Sequence, residues 1–150
     1  MRLSEEGRKF LQVWEGKSLK RYVDVGGRPT IGYGHLIVPG ESFPDEITED
    51  FAEDLFNRDL IKYEDAITME FGDIMSQQQF DACVSLCYNI GIKAFTHSTM
   101  ARLISDTDYD RAAEQFPLWC HVNGKVSQGL LNRRYAEQEV FVNGNYNHNV

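Results

Sequence analysis

The sequence predicts a mainly helical protein of the α+β class, with one small antiparallel hairpin sheet near the N-terminus. Apolar residues recur at helical spacing over most of the 150 residues, whereas residues 19 to 37 are rich in strand formers. A chain of this length suits one domain, because it can remove roughly 70% of its extended-chain surface from water. We therefore expect one packed core that needs no disulfide or metal.

The first helix leads directly into the hairpin. Ser4 is a suitable N-cap, acids follow it in the first turn, and Gly16 is a plausible stop. Gly26, Gly27 and Pro29 then predict a turn between two strands. The strand formers around this turn are Tyr22, Val23, Val25, Ile31, Tyr33 and Ile37.

Helices are predicted for the rest of the chain. Periodic apolar residues predict a helix from Thr48 through Ile67 that is long enough to bridge two lobes. Ser76 and Gln79 form a capping box for a central core helix, which Gly91 ends. The remaining predicted helices are two short ones with caps near Ser98 and Asp108, and a last one over about residues 130 to 141.

The three cysteines, Cys83, Cys87 and Cys120, leave at least one thiol that cannot be paired within the chain. The first two lie one helical turn apart in an apolar run. We interpret all three as reduced core thiols, which fits synthesis in a reducing cytosol. No fourth ligand accompanies them at a zinc-like spacing, so we expect no metal and no cofactor.

Charge is distributed unevenly along the chain. The formal net charge is −8, and residues 41 to 73 carry −10, so the remainder carries +2. This balance argues against nucleic acid as a partner, because phosphate binding relies on clustered Lys and Arg. The apolar stretches are too short for a membrane span, and the N-terminus lacks the apolar core of a signal peptide. We therefore expect no membrane insertion, and export by a separate route.

Glu15 and Asp24 form a candidate pair of catalytic carboxylates. Hydrolysis of a glycosidic bond needs a proton donor for the leaving oxygen and a second carboxylate across the ring. Glu15 lies in the last helical turn beside Trp14, where unsatisfied carbonyls and an apolar wall disfavour its anion. Asp24 precedes the glycine-rich turn, whose backbone N–H groups can keep it ionised. Such divergent environments give two carboxylates acid and base roles.

A motif around this pair is more specific than the pair alone. Its members are Glu15, Gly16, Tyr22, Asp24, Gly27 and the run Thr30-Ile31-Gly32-Tyr33-Gly34-His35. Alternate glycines in a strand are typical of close approach by a ligand or another chain. This spacing of Glu, Asp and Thr resembles the signature of the phage-type lysozymes, the T4-like muramidase family of glycoside hydrolases.

Later segments resemble the same family, so the resemblance covers essentially the whole chain. They are Leu55-Phe56-Asn57-Arg58-Asp59, Gln79-Phe80-Asp81-Ala82, Tyr88-Asn89-Ile90-Gly91 and Ala94-Phe95 to Ser98. The segments that resemble the variant typified by the P22 phage enzyme are Trp119, Gly124-Lys125, Gly129-Leu130, and Arg133-Arg134 with Glu137.

The resemblance implies a lysozyme-like fold within a single domain. A β-lobe over about 17–45 and a helical lobe of 1–16 and 75–150 would be joined by a linking helix over about 48–70, with the glycan in the cleft between the lobes. It implies that the chain is an endolysin-type muramidase. Its reaction would be hydrolysis, with inversion, of the β-1,4 bond between N-acetylmuramic acid and N-acetylglucosamine in peptidoglycan. A compact monomer suffices for this chemistry.

The resemblance also implies roles at matching positions. Glu15 would be the general acid, Asp24 would position or activate water, and the Thr30 hydroxyl would hold that water. His35 resembles a histidine that pairs with an acid, which we interpret as a structural ion pair. The positions that match glycan contacts in relatives are Leu36, Tyr88 and Ser98.

Two other functions stay open. A lytic transglycosylase cleaves the same bond with an internal sugar hydroxyl and needs no water-positioning Asp and Thr. A muramidase-like wall-binding or scaffolding domain would be marked by loss of Glu15, which is present. We expect synthesis in the host cytoplasm and action on the cell wall after release by a separate export or holin-like route. Arg133 and Arg134 are expected either to place a cation near Glu15 or the glycan, or to be solvated.

Overall fold

The computed structural model describes residues 1–148, and it confirms the mainly helical α+β class. The strands form a three-stranded sheet in the order β1-β2-β3 and a two-stranded sheet of β4 and β5. The helices are α1 (Glu5–Glu15), α2 (Glu49–Phe71), α3 (Gln77–Ile90), α4 (Ile92–Thr96), α5 (Thr99–Ser105), α6 (Tyr109–Ala113) and α7 (Gln128–Asn143), with a 3₁₀ turn at Phe116–Leu118. The strands are β1 (Ser18–Val23), β2 (Pro29–Gly32), β3 (His35–Leu36), β4 (His121–Val122) and β5 (Lys125–Val126).

The chain divides into two compact units. One is Gln12–Lys62, and the other combines Met1–Leu11 with the chain from Tyr63 onward. Both α1 and α2 contain residues of each unit. The lobe boundaries implied by the family resemblance stay a prediction.

The Gln12–Lys62 unit is built on the antiparallel β1-β2-β3 sheet. Ile31 on β2 is fully buried and forms a small core with Ile47, Ala52 and Leu55. Since successive side chains of a strand point to opposite faces, Thr30 lies on the other face from Ile31. One sheet face thus packs on the first half of α2, and the other carries Thr30.

Two details of this sheet differ from the sequence prediction. Pro29 begins β2 and is not part of the turn, which suits a residue that cannot donate to the strand ladder. Gly32 and Gly34 have φ values of 69° and 73°, which residues with side chains rarely adopt. The backbone of the β2–β3 connection therefore accounts for these alternating glycines without an approaching ligand.

The other unit is centred on α3, which packs against α7. The predicted capping box is confirmed: the Ser76 hydroxyl accepts from Gln79 N–H, and the Gln79 side chain accepts from Ser76 N–H. The three thiols are free and buried, as predicted. Burial raises the pKa of the Cys87 thiol to about 12, so this thiol stays protonated in the core.

The β4–β5 hairpin was not predicted, although the sequence carries a signal for it. Asn123 and Gly124 connect the strands with φ values of 51° and 79°. A type I′ turn requires positive φ at both central residues and favours Asn-Gly. The strands have only two residues each, too few for a detectable alternation of side chains.

A buried carboxylate joins three segments of the second unit. Asp81 on α3 is 2% exposed and accepts a hydrogen bond from the Ser4 backbone N–H at 3.1 Å and another from the Ser4 hydroxyl. Gln77 and the Tyr146 hydroxyl donate to it at 2.8 Å and 2.6 Å. Burial and the bond to Asp81 raise the pKa of the Tyr146 phenol. Asp81 thus ties the N-cap of α1 and the C-terminal segment to α3.

Replacement of Asp81 should destabilise the fold more than loss of an ordinary helix cap. Asp81→Ala leaves the donors of four partly buried hydrogen bonds without their acceptor, so we expect the free energy of unfolding to fall by about 3 kcal/mol. Asp108→Ala removes the cap of α6 and is the matched control, with an expected loss of about 1 kcal/mol. Urea denaturation of both variants measures the difference. Equal losses would contradict the role of Asp81 as a junction.

Candidate active site

Glu15 is the last residue of α1, as predicted. Gly16 ends the helix with φ 70°, and its N–H donates to the Gln12 carbonyl at 2.9 Å. Two contacts hold this end of α1 to α2 within the unit. Gln12 donates to Glu53 at 2.9 Å, and the Lys17 ammonium contacts Glu49 at 2.8 Å. Glu15, which is half-buried, therefore belongs to a fixed helix end.

The turn after β1 holds Asp24 as a carboxylate. Its Oδ1 accepts from the N–H groups of Gly26 at 2.9 Å and Arg28 at 2.8 Å, and its Oδ2 lies 3.1 Å from the Arg28 guanidinium. The Arg28 N–H, and then the Arg28 charge, lower the pKa of Asp24. The expectation that turn N–H groups keep Asp24 ionised is confirmed.

Thr30 lies on the central strand of the sheet, with 2% of its surface exposed. Its hydroxyl donates to the Arg28 carbonyl oxygen at 2.9 Å. Because the hydroxyl proton is used in this bond, only the lone pairs of Oγ1 are left for another group. Thr30 can therefore accept a hydrogen bond from a water.

Thr30 is the middle of a row that crosses all three strands. Its Cα partner on β1 is Tyr22, and its Cα partner on β3 is Leu36. Directly opposed residues share one face of a sheet and have Cβ atoms about 5 Å apart. Tyr22 is 37% exposed and Leu36 is 38% exposed. The predicted contact residue Leu36 thus lies beside Thr30 with an accessible side chain.

The other two predicted glycan contacts lie in the second unit. Tyr88 on α3 is 9% exposed, and its ring packs on Tyr63 at a centroid distance of 4.9 Å. Ser98 caps α5 and accepts from Ala101 N–H, while its own hydroxyl donates to the Phe95 carbonyl. Both have structural contacts, and their glycan contacts stay predictions. Ser98 also lines a polar pocket of about 380 Å³ with Glu70, Thr96, His97, Thr99, Ala101, Arg102 and Ser105.

Tyr22, which the sequence predicted only as a strand former and a member of the motif, also lies at this site. Burial first, then the charge of Glu15 and then that of Asp24, raise the pKa of its phenol. The negative charges of both predicted catalytic carboxylates therefore act on the Tyr22 phenol. The sequence signal was its strand position two residues before Asp24, which puts the two residues in the same phase of the strand alternation.

The histidine of the motif forms the expected ion pair, and with two acids. His35 Nδ1 lies 2.7 Å from Asp59, and Nε2 lies 2.9 Å from Glu41. The hydrogen bond to Asp59 is the largest cause of a raised His35 pKa, and the bond to Glu41 adds to it. The backbone N–H of Val38 and the contact with His35 lower the pKa of Glu41. These pairs connect β3 to α2 and to the loop after β3.

The arginines of the last helix are not solvated, and this alternative of the sequence analysis is wrong. Arg133 is 5% exposed and Arg134 is 0% exposed. Both contact the buried Glu137, at 3.2 Å and 2.8 Å. The Ser85 hydroxyl also donates to Glu137, so this cluster fastens α7 to α3.

Residues 1–148 contain no group of three or more His, Cys, Asp or Glu side chains arranged to hold a metal ion. Within the same range, every helix is either too short or too polar to cross a membrane.

The family model described as phage lysozyme matches residues 12–137. The chain belongs to the phage lysozyme family. The predicted resemblance and the lysozyme-type glycoside hydrolase class are thus confirmed, and peptidoglycan is the substrate that this family implies.

The similarity of this phage lysozyme family member to its relatives covers nearly the full chain. The endolysin of Salmonella phage P22 is 39% identical over 95% of this chain and 99% of its own length. The endolysin of Bacillus phage PZA is 37% identical over 96% of this chain, which spans 56% of that relative's length. The structure of an endolysin from Escherichia coli O157:H7 phage FAHEc1 has a TM-score of 0.88 at 34% identity, covering 98% of this chain and 97% of that one.

The His35 ion pairs should make stability depend on pH. The pKa of His35 is raised in the folded state, so its stabilisation is complete below the ordinary value of 6.5 and is lost as pH rises through the raised value. The difference in free energy of unfolding between the wild type and His35→Gln should therefore shrink as pH rises. Urea denaturation between about pH 5 and 9 measures it, since that window brackets the ordinary histidine pKa. In a Glu41→Gln/Asp59→Asn background this trend should disappear, and a difference that grows with pH would contradict the assignment.

Proposed function

We propose that this chain is an endolysin-type muramidase that hydrolyses the β-1,4 bond between N-acetylmuramic acid and N-acetylglucosamine in bacterial peptidoglycan. The observation that carries the proposal is the arrangement of three groups in the Gln12–Lys62 unit of a phage lysozyme family member. A carboxyl group ends α1, an ionised carboxylate follows β1, and a buried hydroxyl lies on the strand that pairs with β1. These are Glu15, Asp24 and Thr30.

Glu15 acts as the general acid in this mechanism. It donates its proton to the oxygen of the leaving sugar as the glycosidic bond breaks, so that the leaving group departs as a neutral alcohol. Positive charge then develops on the ring carbon of the other sugar. A nearby carboxylate that stays ionised stabilises this charge, and Asp24 meets that requirement because Arg28 and the turn lower its pKa.

Asp24 and Thr30 orient the attacking water. A water that donates one proton to the Asp24 carboxylate and the other to Thr30 Oγ1 has its lone pair free to attack the ring carbon. Thr30 suits this role because its own proton is already donated to the Arg28 carbonyl. Asp24 is a weak base, because two N–H groups and a guanidinium share its charge. Its main task is therefore to hold the water and oppose the positive charge. As the new C–O bond forms, the water's proton passes to Asp24 and from there to solvent, and Glu15 regains its proton from solvent, so that both carboxyl groups return to their starting states.

The chain is further proposed to act as a monomer. All three catalytic groups belong to one chain, so the mechanism needs no partner subunit. Endolysins act on the cell wall. We propose that this chain reaches the wall from the host cytoplasm by a separate export or holin-like route.

Glu15→Gln should abolish turnover while the protein stays folded, because the amide keeps the shape and cannot donate a proton as an acid. General acid catalysis contributes about 10²- to 10⁴-fold, so the clearing rate of purified peptidoglycan should fall by at least that range. Asp24→Asn should be impaired with some residual activity, since an amide still orients water. Glu139→Gln, on α7, is the matched control and should clear at the wild-type rate. Near wild-type clearing by Glu15→Gln would refute the assignment.

Product analysis of the same digests tests the reaction class. A new reducing end identifies hydrolysis, whereas a 1,6-anhydro sugar identifies a lytic transglycosylase. Wall binding without either product would identify a non-catalytic module. Only the first outcome agrees with the proposal.

Hydrolysis should invert the configuration at the ring carbon. A hydroxyl that holds a water beside Asp24 has no use if Asp24 itself attacks the sugar, so the water attacks directly from the opposite face. Proton NMR of the first product formed from a soluble peptidoglycan oligosaccharide should show the α anomer. An initial β anomer, or a glycosyl ester trapped on Asp24, would contradict inversion.

A further inference from the structure

The sheet face that carries Thr30 is flanked by two accessible side chains of different character. Leu36 lies on one side and Tyr22 lies on the other, each directly opposite Thr30 in the strand register. Each has a little over a third of its surface exposed, while Thr30 between them is buried. A ligand on this face would therefore contact an aliphatic group on β3 and an aromatic ring on β1.

The hydroxyl of Tyr22 is available to such a ligand. Among the described residues 1–148, no hydrogen-bond partner of the Tyr22 phenol is found. The phenol also stays protonated, because burial and the charges of Glu15 and Asp24 raise its pKa. Tyr22 thus combines an O–H donor that has no partner among residues 1–148 with a partly exposed ring. The charges of two carboxylates act on its phenol.

A neutral donor has a particular use beside two acidic groups. A lysine or arginine at this place would attract Glu15 and Asp24 and compete with their roles, and a third carboxylate would disturb their ionisation. A phenol adds no charge and still binds an acceptor oxygen. Sugars present such oxygens around rings whose C–H faces are apolar, and an aromatic side chain with a polar tip matches both features.

We infer that Tyr22 is a glycan-binding residue of this site, whose ring packs on a sugar and whose hydroxyl donates a hydrogen bond to a hydroxyl or acetamido oxygen of that sugar. The inference rests on the proposed function, since it takes the glycan to be the ligand of Glu15, Asp24 and Thr30. It adds to Glu15, Asp24 and Thr30 a residue that touches substrate but takes no part in proton transfer.

The test compares two substitutions at this position by steady-state kinetics. Tyr22→Phe removes only the hydroxyl, and Tyr22→Leu removes the ring as well. With a soluble peptidoglycan-derived oligosaccharide as substrate, Tyr22→Phe should raise KM about two- to tenfold and change kcat little, as for the loss of one hydrogen bond. Tyr22→Leu should raise KM further.

Tyr33→Phe is the matched control. Tyr33 belongs to the same unit, but its ring packs on Phe56 at a centroid distance of 5.2 Å and against the small core around Ile31. This variant should retain the wild-type KM. Tyr22→Phe should also unfold at the wild-type temperature, because the Tyr22 hydroxyl has no partner to lose among residues 1–148.

The outcomes separate this inference from the proposed function. If Tyr22→Phe keeps the wild-type KM, with or without a change in unfolding temperature, the Tyr22 hydroxyl does not bind the glycan and the inference is overturned. A raised KM for both Tyr33→Phe and Tyr22→Phe would overturn it too, because the effect would not be specific to this face. Full activity of Glu15→Gln would instead refute the proposed function, whatever the kinetics of the Tyr22 variants.

Discussion

The turn from Asp24 to Arg28 is the constraint on which the candidate site depends. Arg28 uses three groups in it: its N–H and guanidinium bind the Asp24 carboxylate, and its carbonyl accepts from both the Asp24 N–H and the Thr30 hydroxyl. One residue therefore sets the charge of Asp24 and the direction of the Thr30 proton. Gly27 makes this closure possible with φ 79°. The roles proposed for Asp24 and Thr30 therefore depend on the five residues from Asp24 to Arg28.

Local features of the fold were predictable from the sequence because neighbours along the chain determine them. Ser4, Ser76, Ser98 and Asp108 all accept the N–H bonds expected of helix caps. The turn that ionises Asp24 is equally local, since its donors lie two and four residues away. The second turn, at Tyr33 and Gly34, was not predicted, and it is this turn that places Leu36 on β3 opposite Thr30.

Contacts between residues that lie far apart in the sequence could not be predicted from the sequence. Asp81 accepts from Ser4 across 77 residues, and periodicity alone predicted no more than a core helix at that place. The burial of Arg133 and Arg134 was missed for the same reason, because an arginine on an amphipathic helix is usually solvated and the compensating Glu137 is recognisable only in three dimensions. Tyr22 was named in the motif without a role, because a tyrosine in a strand is ordinary and its position opposite Thr30 is visible only in the sheet register.

The acidic segment of the chain, residues 41 to 73, also contributes to the structure. Several of its acids hold parts of the fold together. Glu49 and Glu53 hold the end of α1, and Glu41 and Asp59 share His35. Glu64, 5% exposed, accepts from the Leu3 N–H at 2.7 Å. A large part of this negative charge therefore has a structural task.

The cluster of Arg133, Arg134 and Glu137 limits how this protein can change over evolutionary time. Glu137 is fully buried and contacts both arginines, so its loss removes two charged contacts at once, whereas loss of one arginine leaves the other contact in place. Replacement of the glutamate must then follow or accompany replacement of the arginines. Divergence at these positions is expected to occur in an ordered series of steps, and lineages that retain Glu137 should be the ones in which the arginines vary.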